Sequence, residues 1–207
     1  MNNQKVQQVQ LGEVCAVRSG FTSRTRLETA ALDGTLTVQQ GDINADGQYA
    51  SETALRTMTP AASKQHYVDQ GELVFRSRGP FWGACAITGI DEPVLAVAPL
   101  FILHPDPDVL DHGYLAWFLG RPLARHYFDS EAQGTGVKMV TKPALEALQI
   151  SLPSLDIQHR IAAVAALSAE ETRIRDRVAS LRQAVVGHHL DRLALHSISA
   201  LDSEEIR

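Results

Sequence analysis

The sequence predicts an α/β (α+β) fold: a mixed domain of short strands and helices, followed by a long C-terminal helix. Two observations lead there. Residues 1–150 break into short apolar stretches of strand length, separated by Gly, Pro, Asn and Asp. From Ile150 that punctuation stops: after Pro153 no proline follows, and the first glycine is Gly187. Within the uninterrupted stretch Ile157, Ile161, Val164, Leu167, Ile174, Val178, Leu181 and Val185 recur mostly at spacings of three and four, one face of a helix. About 40 residues at ~1.5 Å each make a rod of roughly 60 Å, longer than a domain of this size is wide. Such a rod needs a partner helix.

Taken in order, Val6–Leu11 alternates apolar and polar residues and reads as a half-buried strand. LGEVCAVRSG offers a short turn or helix and a strand ending at Gly20. LTVQQGDINADG reads as a strand and then a hairpin turn on Asp46-Gly47. Residues 49–66 are weakly patterned and expected to be mostly loop. GELVFRSRGPFWGACAITGI reads as two strands joined by a glycine-rich connection, and VLAVAPLFILH as a buried strand split at Pro99. Asp111 is placed to cap a helix whose apolar face is Tyr114, Leu115, Phe118, Leu119 and Leu123, bent or restarted at Pro122. Thr141 caps a further short helix. QISLP is the last strand, and Ser154 or Asp156 opens the long helix. The expected divisions are 1–152 for the domain, 153–197 for the helix and 198–207 for a flexible tail.

With 44% hydrophobic and 21% charged residues, the chain has the composition of a soluble protein able to bury a core. It has no apolar run of about 18 residues and a polar start, so neither a membrane span nor a signal peptide is expected, and the cytoplasm is the expected location. Cys15 and Cys85 lack CxxC spacing and read as buried small hydrophobes. The net charge of −5 leaves no segment basic overall: five basic against six acidic groups in 1–60, seven against ten in 61–150, seven against eight in 151–207. A phosphate-binding surface would therefore be a local patch on an acidic body.

Catalytic motifs are missing from the sequence. GTGVK (Gly134–Lys138) lacks P-loop spacing, and no GxSxG, HExxH, PD-(D/E)xK or Asp/Asn-Pro-Pro-aromatic pattern occurs. His188, His189, His196 and Asp191 read as solvated helix-surface residues. No catalytic residue, metal or cofactor is expected. What remains is three loops that set cations beside glycines, hydroxyls and amides. The first holds Arg18, Thr22, Ser23, Arg24 and Arg26. The second holds Arg76, Ser77, Arg78 and Gly79, with Phe81 and Trp82 just after. The third holds Gln133, Gly134, Thr135, Gly136 and Lys138. Arg suits phosphate or guanine, Gln suits adenine, and Gly allows close backbone approach; ordinary solvated loops have the same composition.

The order of these pieces resembles the specificity (S) subunit of Type I restriction–modification systems. ISLPSLDIQHRIAAVAALSAEETRI (Ile150–Ile174) is similar to the family's apolar strand, Pro-x-Leu, acidic-Gln and Ile-Ala signature opening its helical region. GELVFRSRG resembles its Gly-Asp-Ile/Leu strand into an Arg–Gly turn, with Glu72 where Asp is commoner. LGEVCAVRSGFT resembles the entry of a target-recognition domain, and HGYLAWFLGRPLARHYFDSEAQGTGVKMVTKPALEALQISLP resembles its close. The resemblance spans about residues 6–190. It implies double-stranded DNA as a partner, with Arg24, Arg26, Arg76, Arg78, Gln133, Thr135 and Lys138 as base and phosphate contacts. It also implies docking to methyltransferase subunits that use S-adenosylmethionine, and to restriction subunits.

Full S subunits resemble two target-recognition domains and two helices paired as an antiparallel coiled coil. This chain has one of each, so the resemblance implies a half-length form that homodimerises through its helix, each copy reading a half-site. The alternatives are an interaction module dimerised by the helix without DNA, and an enzyme whose site is assembled from loops without a motif.

Overall fold

The computed structural model describes residues 7–23, 27–29, 34–43, 49, 55–58, 62–87, 92–134 and 136–204, with the backbone alone at 29, 55, 58 and 193–204. It divides into two compact units, Met1–Ala163 and Val164–Arg207.

The first unit is built around a four-stranded antiparallel sheet in the order β2 (Cys15–Ser19), β10 (Leu100–Pro105), β7 (Leu73–Arg76), β8 (Gly83–Ala86). Side chains alternate across a strand, and in β7, β8 and most of β10 both faces are covered, while β2 at the edge buries one face. Leu73, Phe75 and Leu103 join Trp82, Ala84 and the helical residues Leu115, Leu119, Phe128 and Leu145 in one core. Val74, Cys85, Leu100 and Ile102 join Leu36, Val38, Val94 and Ala96 in a second. The second core is shared with a five-stranded sheet ordered β3 (Glu28–Thr29), β5 (Leu55–Met58), β4 (Thr35–Val38), β9 (Val94–Ala96), β6 (Tyr67–Val68). Only β4 and β9 run parallel in it.

The apolar run VLAVAPLFILH thus serves two sheets: β9 belongs to one and β10 to the other, the chain crossing over at residues 97–99. Alternation alone could not reveal the change of sheet, because both segments are buried on both sides. In the stretch expected to be mostly loop, β5 is held between β3 and β4 by pairing on both edges, despite polar residues Arg56 and Thr57. The expected Asp46-Gly47 turn lies outside the described residues.

The first core is closed by α1 (Leu11–Val14), α2 (His112–Leu119), α3 (Pro122–Glu131) and α4 (Lys142–Glu146). Asp111 Oδ1 accepts the Tyr114 N–H at 2.7 Å, and Thr141 Oγ1 accepts that of Ala144 at 3.4 Å, the two expected caps. Pro122 opens α3 where its missing N–H costs nothing. The restart changes the helical phase, so Ala124 and Phe128 are buried while Leu123, expected on the apolar face, is 71% exposed. β1 (Gln7–Gln10) pairs antiparallel with β11 (Gln149–Leu152), joining the two ends of the unit.

α5 (Leu155–Glu204) follows, past the helix end expected at residue 197. Its first turns are fastened inside the first unit by Gln158, which is 1% exposed. The Gln158 amide accepts the Asp111 N–H at 2.9 Å and donates to the carbonyls of Val109 at 3.0 Å and Pro153 at 2.9 Å. Gly113 allows α2 to lie against Ala162, whose Cβ would come within 2.9 Å of an added Cβ.

Across the four-stranded sheet, Glu72 accepts from Arg18 Nη2 at 2.6 Å and from the Asp69 N–H at 2.8 Å, and meets His104 Nδ1 at 3.0 Å. It thereby ties β2, β10 and β7 together, with its own side chain 2% exposed. The Arg56–Glu92 pair is exposed. Glu72→Ala is expected to lower unfolding free energy by about 2 kcal/mol, since it strands a half-buried guanidinium and a backbone donor. Glu92→Ala should cost clearly less. Chemical denaturation of both variants checks this, and equal midpoints would remove the cross-strand role of Glu72.

Candidate nucleic-acid interface

The strand register places the loops. Ser19 pairs with Phe101, Leu100 with Arg76, and Arg76 with Gly83. The end of β2, the start of β10, the end of β7 and the start of β8 therefore lie at one end of the sheet. The loops leaving there are the stretch after Ser19, residues 97–99, and residues 77–82. α1, the turn before α2 and the start of β7 lie at the other end.

Two of the three cation-bearing loops are laced together at the first end. Val140 N–H donates to the Ser77 carbonyl at 2.8 Å and Gly79 N–H to that of Lys138 at 3.2 Å. Arg78 bridges Met139, and Met139 in turn exchanges two 3.0 Å bonds with Gln133. Residues 133–134 and 136–139 thus form the two sides of a hairpin pinned to the β7–β8 turn. Gly134 (φ +121°) makes the loop's first bend. Arg78, Gln133 and Lys138 are exposed on this ladder, together with Val137 and Met139.

The first loop approaches the same place through its backbone. Gly20 N–H bonds the Leu100 carbonyl at 2.8 Å, and Ala98 N–H bonds that of Phe21 at 2.9 Å. The Ser77 hydroxyl donates to the Pro99 carbonyl, which links this segment to the second loop. Arg24, Arg26 and Thr135 lie outside the described residues. Arg18, grouped with them by sequence, turns instead to Glu72 and the Tyr67 carbonyl.

Arg76 differs from its neighbours. It is 9% exposed, with Nη1 donating to the carbonyls of Gln40 and Ile43, Nε donating to that of Arg78, and its Cζ lying 4.0 Å from the centroid of the Phe81 ring. Trp82 and Asp129 were not visible as partners in the sequence: Trp82 Nε1 donates to Asp129 Oδ1 at 2.9 Å, and the Asp129 carbonyl faces Lys138 Nζ at 3.4 Å. A tryptophan after a glycine-rich turn is the one sequence signal for this anchor.

The profile of the Type I restriction modification DNA specificity domain matches residues 3–166. The chain belongs to that family. Two solved structures share the specificity-domain fold. A chain from the type I R-M system studied for complex assembly and conformational transition aligns over 89% of this chain and 42% of its own length, with 22% identity and a TM-score of 0.52. The S subunit of the Type-I restriction-modification system from M. genitalium aligns over 85% of this chain and 42% of its own, with 16% identity and a TM-score of 0.53. The chain thus spans less than half the length of either. Among curated protein sequences, none matches this one.

Burial pushes the Cys15 and Cys85 thiols of this specificity domain up to about 12, which keeps both protonated near neutral pH. Among the described residues no three His, Cys, Asp or Glu side chains are placed to hold a metal ion, and no helix is long and apolar enough to cross a membrane. On α5, Ile161 packs against the first core, whereas Ile157, Val164, Leu167, Ile174, Val178, Leu181 and Val185 are between 41% and 72% exposed.

The hairpin geometry has a direct check. Gly134→Ala would put a Cβ 2.9 Å from the Val137 carbonyl oxygen at a positive φ, whereas Gly136 has nothing within 4 Å. The first substitution is expected to cost the loop about 1–2 kcal/mol, read as faster hydrogen exchange at the Met139 amide, and Gly136→Ala should not. Equal exchange in the two variants would refute the hairpin.

Proposed function

We propose that this chain is a non-catalytic, sequence-specific DNA-binding specificity subunit of a restriction–modification system. It reads a half-site of duplex DNA and brings methyltransferase and restriction subunits to it. The observation that carries the reading is the convergence of exposed Arg78, Gln133 and Lys138 on one laced surface within a chain of the DNA specificity family. By sequence Arg24 and Arg26 belong to the first cation-bearing loop and Thr135 to the third, and we assign them to the same contacts. The donor types match guanine and phosphate for Arg and Lys, and adenine for Gln.

The exposed apolar stripe of α5 we assign to a second copy of this chain, paired as an antiparallel coiled coil. A seam of Val164, Leu167, Ile174, Val178, Leu181 and Val185 has the spacing that such a coil buries. Two-fold pairing gives two identical reading surfaces and implies an inverted-repeat target. In this reading residues 1–152 are the recognition domain and 153–197 the pairing helix, and the protein works in the cytoplasm beside the chromosome. The net charge of −5 predicts modest affinity for the isolated chain, raised when partner subunits add cationic surface.

Selection from randomised duplexes, with and without a co-purified methyltransferase, tests the DNA reading. An inverted-repeat motif is expected, with Arg78→Ala weakening it about tenfold. Lys138→Ala should weaken all duplexes alike and flatten the salt dependence by about one unit. Enrichment of no motif in either condition would favour a protein-interaction module. Sedimentation at micromolar concentration should show a dimer, and Leu167→Asp with Leu181→Asp should return it to monomer. A wild-type monomer would reject the pairing with a second copy and leave the helix to a different chain.

A further inference from the structure

We propose that Arg76 is the positioning residue that joins three loops of the DNA-facing end into one surface and does not itself touch DNA. The proposal rests on the DNA-reading function for its consequence, and on the structure alone for the joining. Arg76 ends β7, at the point where β10 and β8 also begin. Its guanidinium donates in two directions. Nη1 reaches the carbonyls of Gln40 at 2.9 Å and Ile43 at 3.0 Å, in the turn that follows β4. Nε reaches the carbonyl of Arg78 at 3.2 Å. Arg78 is the residue whose backbone bridges Met139, and Met139 is bonded to Gln133. One side chain therefore links the 40–43 turn, the 77–79 turn and, through it, the hairpin closed by Gln133 and Met139.

Arginine is required by the shape of this contact. A planar guanidinium presents N–H groups along diverging directions, while a lysine ammonium is a single point that cannot reach both turns. The aromatic face of Phe81 covers the plane at 4.0 Å. Gly79, at φ +123°, leaves the remaining space open, since a Cβ there would lie 2.8 Å from Arg76 Nη2. Among the described residues no carboxylate lies within 4.0 Å of Arg76, and burial lowers its pKa from the ordinary guanidinium value. The carbonyl oxygens of Gln40, Ile43 and Arg78 solvate the cation. Nε and Nη1 are committed and the residue is 9% exposed, so a DNA phosphate would meet the Arg78 and Lys138 side chains outside it.

The test uses the full chain. Amide hydrogen exchange is measured in wild type, Arg76→Lys, Arg76→Gln and, as a control, Lys138→Ala. Both Arg76 variants are expected to speed exchange at Gly79, Met139 and Val140 by about tenfold or more, with Val17 and Leu103 in the sheet unchanged. Arg76→Lys keeps the charge and the strand, so it reports even if Arg76→Gln does not fold. Unchanged exchange in Arg76→Lys would overturn the proposal. Binding is then read on the duplex that the wild-type chain enriches from a randomised pool, against a scrambled duplex. Arg76→Gln should lose about tenfold on the first and little on the second, with a salt slope equal to wild type. A slope lower by about one unit would make Arg76 a phosphate contact and overturn its positioning role. If the wild-type chain enriches no duplex, the DNA reading falls, and the exchange data still decide whether Arg76 holds the loops.

Discussion

The pairing of β7 with β10 in the middle of the four-stranded sheet, where β7 is buried on both faces, is the constraint from which the rest of the molecule follows. A strand with one face in water tolerates local adjustment on that side. Here a slip of one residue would exchange Leu73 and Phe75 for Val74 across two different cores. The register is therefore held from both sides, and the register alone decides that the loops after β2 and β7 emerge at the same end as the turn before β10. A surface built from segments far apart in sequence needs such a rigid base, because each loop contributes only one or two donors.

Electrostatics within the chain separate charges that hold the fold from charges left exposed. Arg18 answers Glu72, Arg56 answers Glu92, and Arg76 answers carbonyl oxygens. Arg78 and Lys138 remain at the surface of the laced loops. A net charge of −5 need not oppose a local cationic patch, because exposed charges more than a Debye length apart are largely screened at ordinary ionic strength. The acidic excess then limits long-range attraction, while close contact is decided by the few cations at the sheet end.

α5 shows a division along one helix. In residues 155–163, Gln158 and Ile161 are buried or half-buried against the globular unit, and the Gln158 amide satisfies one donor and two acceptors that would otherwise be stranded. Beyond them the apolar residues face solvent. The same three-and-four spacing runs through both parts, although Ile161 has found its partner within the chain. Periodicity shows that a face is apolar, and it is silent on what covers that face.

Much of this protein was legible without coordinates. The caps at Asp111 and Thr141, the restart at Pro122, the β7–β8 pair and the long helix all depend on residues within a few positions of one another, and local rules describe such contacts. The family signature at Ile150–Ile174 is equally local. The role of β5, the change of sheet at residues 97–99, the exposure of Leu123 and the burial of Arg76 were not legible. Each depends on a neighbour brought from elsewhere: β5 on strands at both edges, Leu123 on the phase of a restarted helix, Arg76 on Gln40 and Ile43. By itself the sequence determined the locally coded strands and helices, the long C-terminal helix among them, and which loops carry cations. Only the tertiary structure decided which cations stay exposed and which loops share a surface, because that depends on pairings such as Arg78 with Met139, between residues with no local signal for one another.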